Sequence, residues 1–307
     1  MVSMDVVFVE KILRVQPNVK RLYLLLRAED AKVLKEKLGE NLNPFISEKV
    51  TLVPGDITFE NLGVNDPNLV EEMWKEVDIV VNLAATTNFD ERTIDSLGVG
   101  YAKGKLKCFL GDPEAIIDVI PADMVVNAMM VAMAANANQP CYPDDDQIAI
   151  YQVGSSVSNP IRFTCIQDYG LRYFTSNPWI GKDGKPIKVG KVTVLSSMDS
   201  FHRYMAIHYL LPLKGLEIIN IAFCQYFGGV YRDLHRKINF VMRLVELYQP
   251  YLFFKGIYDD INTEKLRMAA KDSGVEVDVF NFNPKTVNWE DYFMNTHIPG
   301  IVKYVFK

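Results

Sequence analysis

Paired cysteines at CxxC spacing, histidines at HxxxH or HExxH spacing, an excess of basic charge and a long unbroken apolar run are all missing from this 307-residue chain. Each absence removes a class of function. Cys108, Cys141, Cys165 and Cys224 stand far apart, the pattern of free thiols in a reducing compartment. The four histidines have no metal-ligand spacing, so no metal site is expected. A net charge of -5 gives no footprint for nucleic acid, which needs a basic face. The longest apolar stretch, Met205 to Phe227, is broken by Pro212, Lys214 and Glu217. It falls short of the ~20 consecutive apolar residues of a spanning helix. The first residues have no basic n-region or apolar core, and Asp5 and Glu10 sit badly in a transit peptide. Residues before Phe8 contain no glycine. These features predict a cytoplasmic or peripheral-membrane chain without a signal or transit peptide.

What is present is an ordinary globular composition, 49% hydrophobic and 23% charged, long enough for one large α/β domain or two smaller ones. Val77–Val81 is a β-branched apolar run with the length of a strand buried on both faces. It gives way to small residues, Asn82-Leu83-Ala84-Ala85, which let a ligand approach the backbone at a strand end. Before it, Val6 to Val15 has helical spacing ended by Pro17, although MDVVFV also reads as a short strand. Arg21–Arg27 and Glu48–Thr58 read as strands, and Ala28–Leu38 and Asn68–Val77 as helices. That alternation predicts a parallel, doubly wound sheet.

Such a sheet binds nucleotides across its strand ends. Arg27 closes one strand, where a guanidinium suits a 2′-phosphate, and Asp56 closes the next, where a carboxylate suits an adenine amino group. The glycine turn that cradles phosphates at the first helix is missing. Gly98, Gly100 and Gly104 imitate it, but no strand precedes them and the segment reads as a flexible basic loop. Tyr101 with Lys105 and Tyr251 with Lys255 have the Tyr-x-x-x-Lys spacing of short-chain reductases, yet neither follows a strand bearing a catalytic Ser or Thr. Both read as coincidence. Downstream, Ala115–Ala137 predicts a short strand, a turn at Pro121 and an apolar helix. The acid run Pro143–Asp146 reads as a turn, and Ile148–Phe163 as a strand with a Gly-Ser-Ser bend. Ser200–Tyr251 predicts long helices rich in aromatic and basic residues, a face that can also lie on a membrane surface. Asp260 or Asn262, with Glu264, predicts a capped helix start.

Five segments together carry a resemblance: FVEKILRVQPNVKRLYLLLR, EKVTLVPGDITFENLG, VNLAATTNFDER, AIIDVIPADMVVNAM, and NWEDY with HIPGIVKY. In this order they are similar to the plant alcohol-forming fatty acyl-CoA reductases of the male-sterility type. The resemblance implies an incomplete Rossmann-type doubly wound parallel sheet over residues 1–190 and a mostly helical domain over residues 191–307. It implies NADPH as cofactor and a long-chain or very-long-chain fatty acyl-CoA as substrate, reduced to a primary alcohol, with peripheral contact at the endoplasmic reticulum membrane. By position it assigns Arg27 to the 2′-phosphate, Asp56 to adenine, and Asn82, Ala84 and Ala85 to the cofactor-side strand.

Two departures stand against it. The family's Gly-x-x-Gly-Phe-Leu loop is replaced by MVSMD. After Arg92 the chain passes directly to TIDSLGVGYAKGK, which in the family lies beyond the catalytic Ser or Thr and the Tyr-x-x-x-Lys helix. No catalytic residue is therefore assigned, and no reductase activity is expected of this chain alone. The remaining alternatives are a silent relative that binds acyl-CoA or a partner, and a truncated splice product without a stable fold.

Overall fold

A computed structural model describes residues 4–16, 18–27, 48–83, 93–137, 149–274 and 279–305. The chain divides into two compact units, residues 2–86 and 87–307.

The first unit opens with helix α1, Met4–Val15, which buries Phe8 and Ile12. The segment MDVVFV is thus helical, and no first strand forms there. Gln16 N–H still donates to Ile12 O, but the residue before a proline is disfavoured in the helical region, and Pro17 follows. Strand β1, Leu22–Leu26, pairs in parallel with β2, Val50–Pro54, from Leu22 opposite Val50 to Leu26 opposite Pro54. Helix α2, Pro67–Glu76, starts cleanly because Asp66 accepts from the amides of Asn68 and Leu69 and Pro67 fits the first turn. It is clamped over β1 by side chains. Tyr23 Oη donates to Glu76 Oε2 at 2.9 Å, and Arg21 pairs with Glu72. The helix expected at Ala28–Leu38 lies outside the described residues.

Val77–Val81 corrects the expectation of a buried strand. The segment leaves α2 without entering a sheet, and Val80 is 86% exposed. Among the described residues it has no neighbouring strand. In a sheet ordered 3-2-1-4-5-6 this strand pairs with the first strand, and MDVVFV, which also read as a short strand, is helical here. The doubly wound sheet is incomplete as expected, and among the described residues of this unit it comprises one parallel pair.

The second unit begins with helix α3, Thr93–Ala102, where a flexible loop was expected. Gly98 and Gly100 weaken a helix, but burial of Tyr101 and Ala102 outweighs that propensity. The helix stops at Gly104, whose φ of +65° suits glycine, with Gly104 N–H donating to Tyr101 O. Strand β3, Cys108–Leu110, runs parallel to β6, Thr193–Leu195; β4, Ile116–Ile117, is antiparallel to β5, Ile161–Arg162. Between them lie α4, Ala122–Asn136, and α5, Phe163–Ser176. Residues 149–154, expected as strand, are irregular, and only β5 of that stretch pairs.

The C-terminal portion is helical. Helices α6, Met198–Met205, and α7, Leu211–Ala222, are joined by a π-helical stretch, Ala206–Leu210. Helix α8, Gly228–Leu252, and α9, Ile261–Asp272, follow. Short helix α10, Trp289–Asp291, joins α11, Ile298–Tyr304, through a second π-helical stretch, Tyr292–His297. Each π stretch directly precedes a proline near the next helix start, Pro212 or Pro299. A proline lacks its amide hydrogen and clashes with the carbonyl four residues back, so a widened turn relieves both problems. Asp260 occupies the N-cap of α9 as expected, but its carboxylate accepts from Ser158 Oγ at 2.9 Å instead of capping the helix.

The main core of this unit gathers Tyr101, Ile161, Phe174, Trp289, Phe293, Ile298 and Ile301. Trp289 Nε1 donates to Asn159 O at 2.9 Å while its ring stays buried. Trp289→Ala is expected to lower unfolding free energy by about 3–5 kcal/mol, the range for deleting a buried aromatic. The urea midpoint measures it.

Candidate functional site

The carboxyl ends of β1 and β2 bring Arg27 and Asp56 together. Gly55 N–H donates to Leu26 O at 2.8 Å, so the pairing runs one residue past the strands and delivers both side chains to one edge. Arg27 Nε lies 3.7 Å from Asp56 Oδ2. Asp56 also accepts from Thr58 N at 2.9 Å and Thr58 Oγ1 at 2.7 Å, closing a tight loop. Those bonds, the amide first and then the hydroxyl, hold its carboxyl below the ordinary range, and Arg27 adds to the effect. Arg27 is 77% exposed, a cation at a strand end open to an anionic ligand. Asn82 is exposed in the irregular segment after Val81, and Ala84 and Ala85 lie outside the described residues. The structure therefore joins Arg27 with Asp56 and does not place Asn82 on a strand.

The two Tyr-x-x-x-Lys spacings do not form a proton-transfer pair. Tyr101 ends α3 with its ring in the core and its hydroxyl donating to Gly190 O at 3.1 Å. Lys105 lies beyond the Gly104 turn, in the solvent. Burial pushes the Tyr101 phenol up, the opposite of what a catalytic proton donor beside a lysine needs. Tyr251 is exposed near the end of α8, while Lys255 Nζ pairs with Asp112 Oδ2 at 2.8 Å, which raises the lysine. Among the described residues no three metal-ligating side chains cluster.

Sequence reasoning missed a second polar site, in the unit spanning residues 87–307. Asp118, just after β4, accepts from Ser155 N at 2.8 Å and from Ser156 Oγ at 2.8 Å. Any side chain at Gly154 would meet the Asp118 carboxylate at 2.6 Å, so the close approach requires glycine. Asp118, Gln152, Gly154 and Tyr258 line a cleft of about 460 Å³. The signal in the sequence was the Gly-Ser-Ser bend, but nothing there linked it to an aspartate 37 residues away.

Comparison with known proteins decides the family. Residues 4–99 match the profile of an NAD-binding domain described as male sterility protein, and residues 208–307 match a second profile with the same description. The alcohol-forming fatty acyl-CoA reductase of Simmondsia chinensis is 37% identical over 472 positions, covering 99% of this chain and 95% of that protein. The chain belongs to the fatty acyl-CoA reductase family. Fatty acyl-CoA reductase 1 of Arabidopsis thaliana is 35% identical over 470 positions, with 98% and 95% covered. The putative fatty acyl-CoA reductase 7 of the same plant is 42% identical over 207 positions, 66% of this chain and 48% of that one. An alignment of 472 positions exceeds this chain's 307 residues, so the reductase from Simmondsia holds internal segments that this family member lacks.

The NAD-binding match supports a nicotinamide cofactor. Of such a cofactor, the adenosine end fits the groups present, with exposed Arg27 beside Asp56 at adjacent strand ends. For the pyrophosphate, the described residues offer no glycine turn at the start of α1.

Thr58→Val is expected to return the Asp56 carboxyl only part of the way upward, since the Thr58 amide remains. Carbon-13 titration of the carboxyl tests it. Because the folded value lies below the unfolded one, this loop stabilises the fold above the ordinary carboxylate range. That contribution is lost as pH falls through the folded value.

Proposed function

We propose that this chain has the architecture for NADPH-dependent reduction of long-chain or very-long-chain fatty acyl-CoA to primary alcohol, and that it does not complete that reaction alone. The reaction consumes two hydrides and two protons, taking the thioester through an aldehyde to the alcohol and releasing the free thiol of coenzyme A. The main support is alignment along nearly the whole chain with the alcohol-forming reductase of Simmondsia. In this reading Arg27 faces the 2′-phosphate and Asp56 the adenine amino group, with Asn82, Ala84 and Ala85 along the cofactor-side strand. The helical reductase domain occupies residues 191–307, which include the second family match from residue 208.

In this reading failure to turn over follows from the absent Tyr-x-x-x-Lys helix, which would supply the proton and tune its donor. Neither Tyr101 nor Tyr251 replaces the donor, for the reasons of burial and pairing given above.

A cytoplasmic chain, peripheral to the endoplasmic reticulum membrane, accompanies this reading. No described helix is long and apolar enough to cross a membrane. Helices α7 and α8 and their connection expose Ile218, Ile221, Phe223, Tyr226, Phe240 and Leu247, and α8 carries Arg232, Arg236, Lys237 and Arg243. Exposed apolar rings and aliphatic side chains with basic neighbours suit the headgroup region of an anionic bilayer.

The purified chain, incubated with NADPH and a C16–C30 acyl-CoA series, is expected to yield no fatty alcohol. Alcohol formation above a heat-treated control overturns the proposal that the chain is inactive alone. In flotation with vesicles containing anionic lipid, the chain is expected to rise with the lipid, and Phe240→Glu to reduce the floated fraction.

A further inference from the structure

We propose that the open edge of β1 receives the extended segment Val77–Val81 from a second copy of this chain, and that the exchange is reciprocal. β1 is paired with β2 on one side and, among the described residues, with no strand on the other. Two parallel strands alone make a marginal sheet, and an unpaired edge is a template for an added strand. The same unit presents the complementary piece. Val77–Val81 is five residues long, as β1 is, and contains no glycine or proline. Four of its five residues are β-branched and apolar, and Val77 has extended backbone at φ −81°, ψ 114°. Val80 is 86% and Ile79 55% exposed, an unusual state for such a run.

Charge also matches. Exposed Lys20 and Arg27 bracket β1, and the donor segment carries exposed Asp78. Pairing within one copy is obstructed by the anchor of α2. Glu76 is held by Tyr23 over the face of β1, and Val77 follows it at once. A chain leaving a helix on a sheet face needs about two to six residues to descend into the sheet plane. That descent would consume much of the five-residue run before it could pair. A second copy brings its segment from outside, free of that tether. Exchange in both directions gives a closed twofold dimer with no leftover edge of this kind.

The test uses the full chain in sedimentation velocity across a concentration series. A dimer is expected, with Val80→Pro weakening it about ten-fold or more by removing a ladder donor. Since Val80 is exposed outside any helix or strand, this variant should keep the circular dichroism and melting temperature of the parent at dilutions where both are monomers. A synthetic peptide of residues 76–83 should convert the dimer into a monomer–peptide complex, whereas the same peptide N-methylated at Val80 should not. The peptide arm stands even if the variant folds poorly. A monomer at every concentration overturns the proposal, as does a dimer that ignores both Val80→Pro and the peptide. A dimer dissolved instead by Phe240→Glu would place the interface on α8 and also overturn it.

Discussion

A parallel strand in the middle of a sheet satisfies its amides and carbonyls only when extended neighbours lie on both sides. An unpaired buried backbone group costs about 1–3 kcal/mol, a large share of the ~5–15 kcal/mol that holds a typical domain together. The N-terminal unit obeys that arithmetic by not burying what it cannot pair. Helix α1 adds no strand, β1 and β2 keep each other, and Val77–Val81 remains outside the ladder with Ile79 and Val80 exposed to water. The apolar surface left exposed there is the cost of avoiding unpaired buried backbone.

The other unit does not face the same problem, because its core is assembled from helices that satisfy their own backbone. Helices α3 and α5 and the segment from Trp289 to Tyr304 enclose the main apolar cluster. Polar side chains then fix the irregular connections. Asn159 Nδ2 donates to Pro284 O and Val287 O, and Asn127 Nδ2 donates to Asn281 O. Thr263 Oγ1 donates to Gln152 O at 2.7 Å, tying α9 to the residues beside Asp118. These contacts join segments more than a hundred residues apart, and all lie downstream of Arg92. The departure from the family pattern at Arg92 and Thr93 therefore leaves them intact.

Much of this was legible in local pattern. The strands ending at Arg27 and Asp56, the helix beginning after Pro121 and the helical block after Ser200 follow from periodicity and breakers, which act within a few residues. The errors came where tertiary partners decide. Val77–Val81 has strand chemistry but no neighbouring strand among the described residues, and Thr93–Ala102 contains two glycines but buries Tyr101 against Phe174. The link from Asp118 to Ser155 and Ser156 was unreadable because it depends on two loops meeting in space. The family itself was readable from five segments in order, a signal of a different kind from periodicity.

The same physics explains why the surviving tyrosines do not rebuild a reductase centre. A proton donor to a carbonyl accepting hydride needs a phenol whose ionised form is stabilised by a nearby cation, in contact with substrate. Tyr101 has neither condition: its environment disfavours the phenolate, and its proton is committed to the carbonyl of Gly190. Tyr251 has access to solvent, but Lys255, the cation spaced for it, is drawn to Asp112 by a direct ion pair. Releasing that lysine would leave Tyr251 in water, where a cation stabilises a phenolate only weakly because the dielectric is high. A catalytic tyrosine requires burial, a cation and substrate at one point, and this chain distributes those features over different elements.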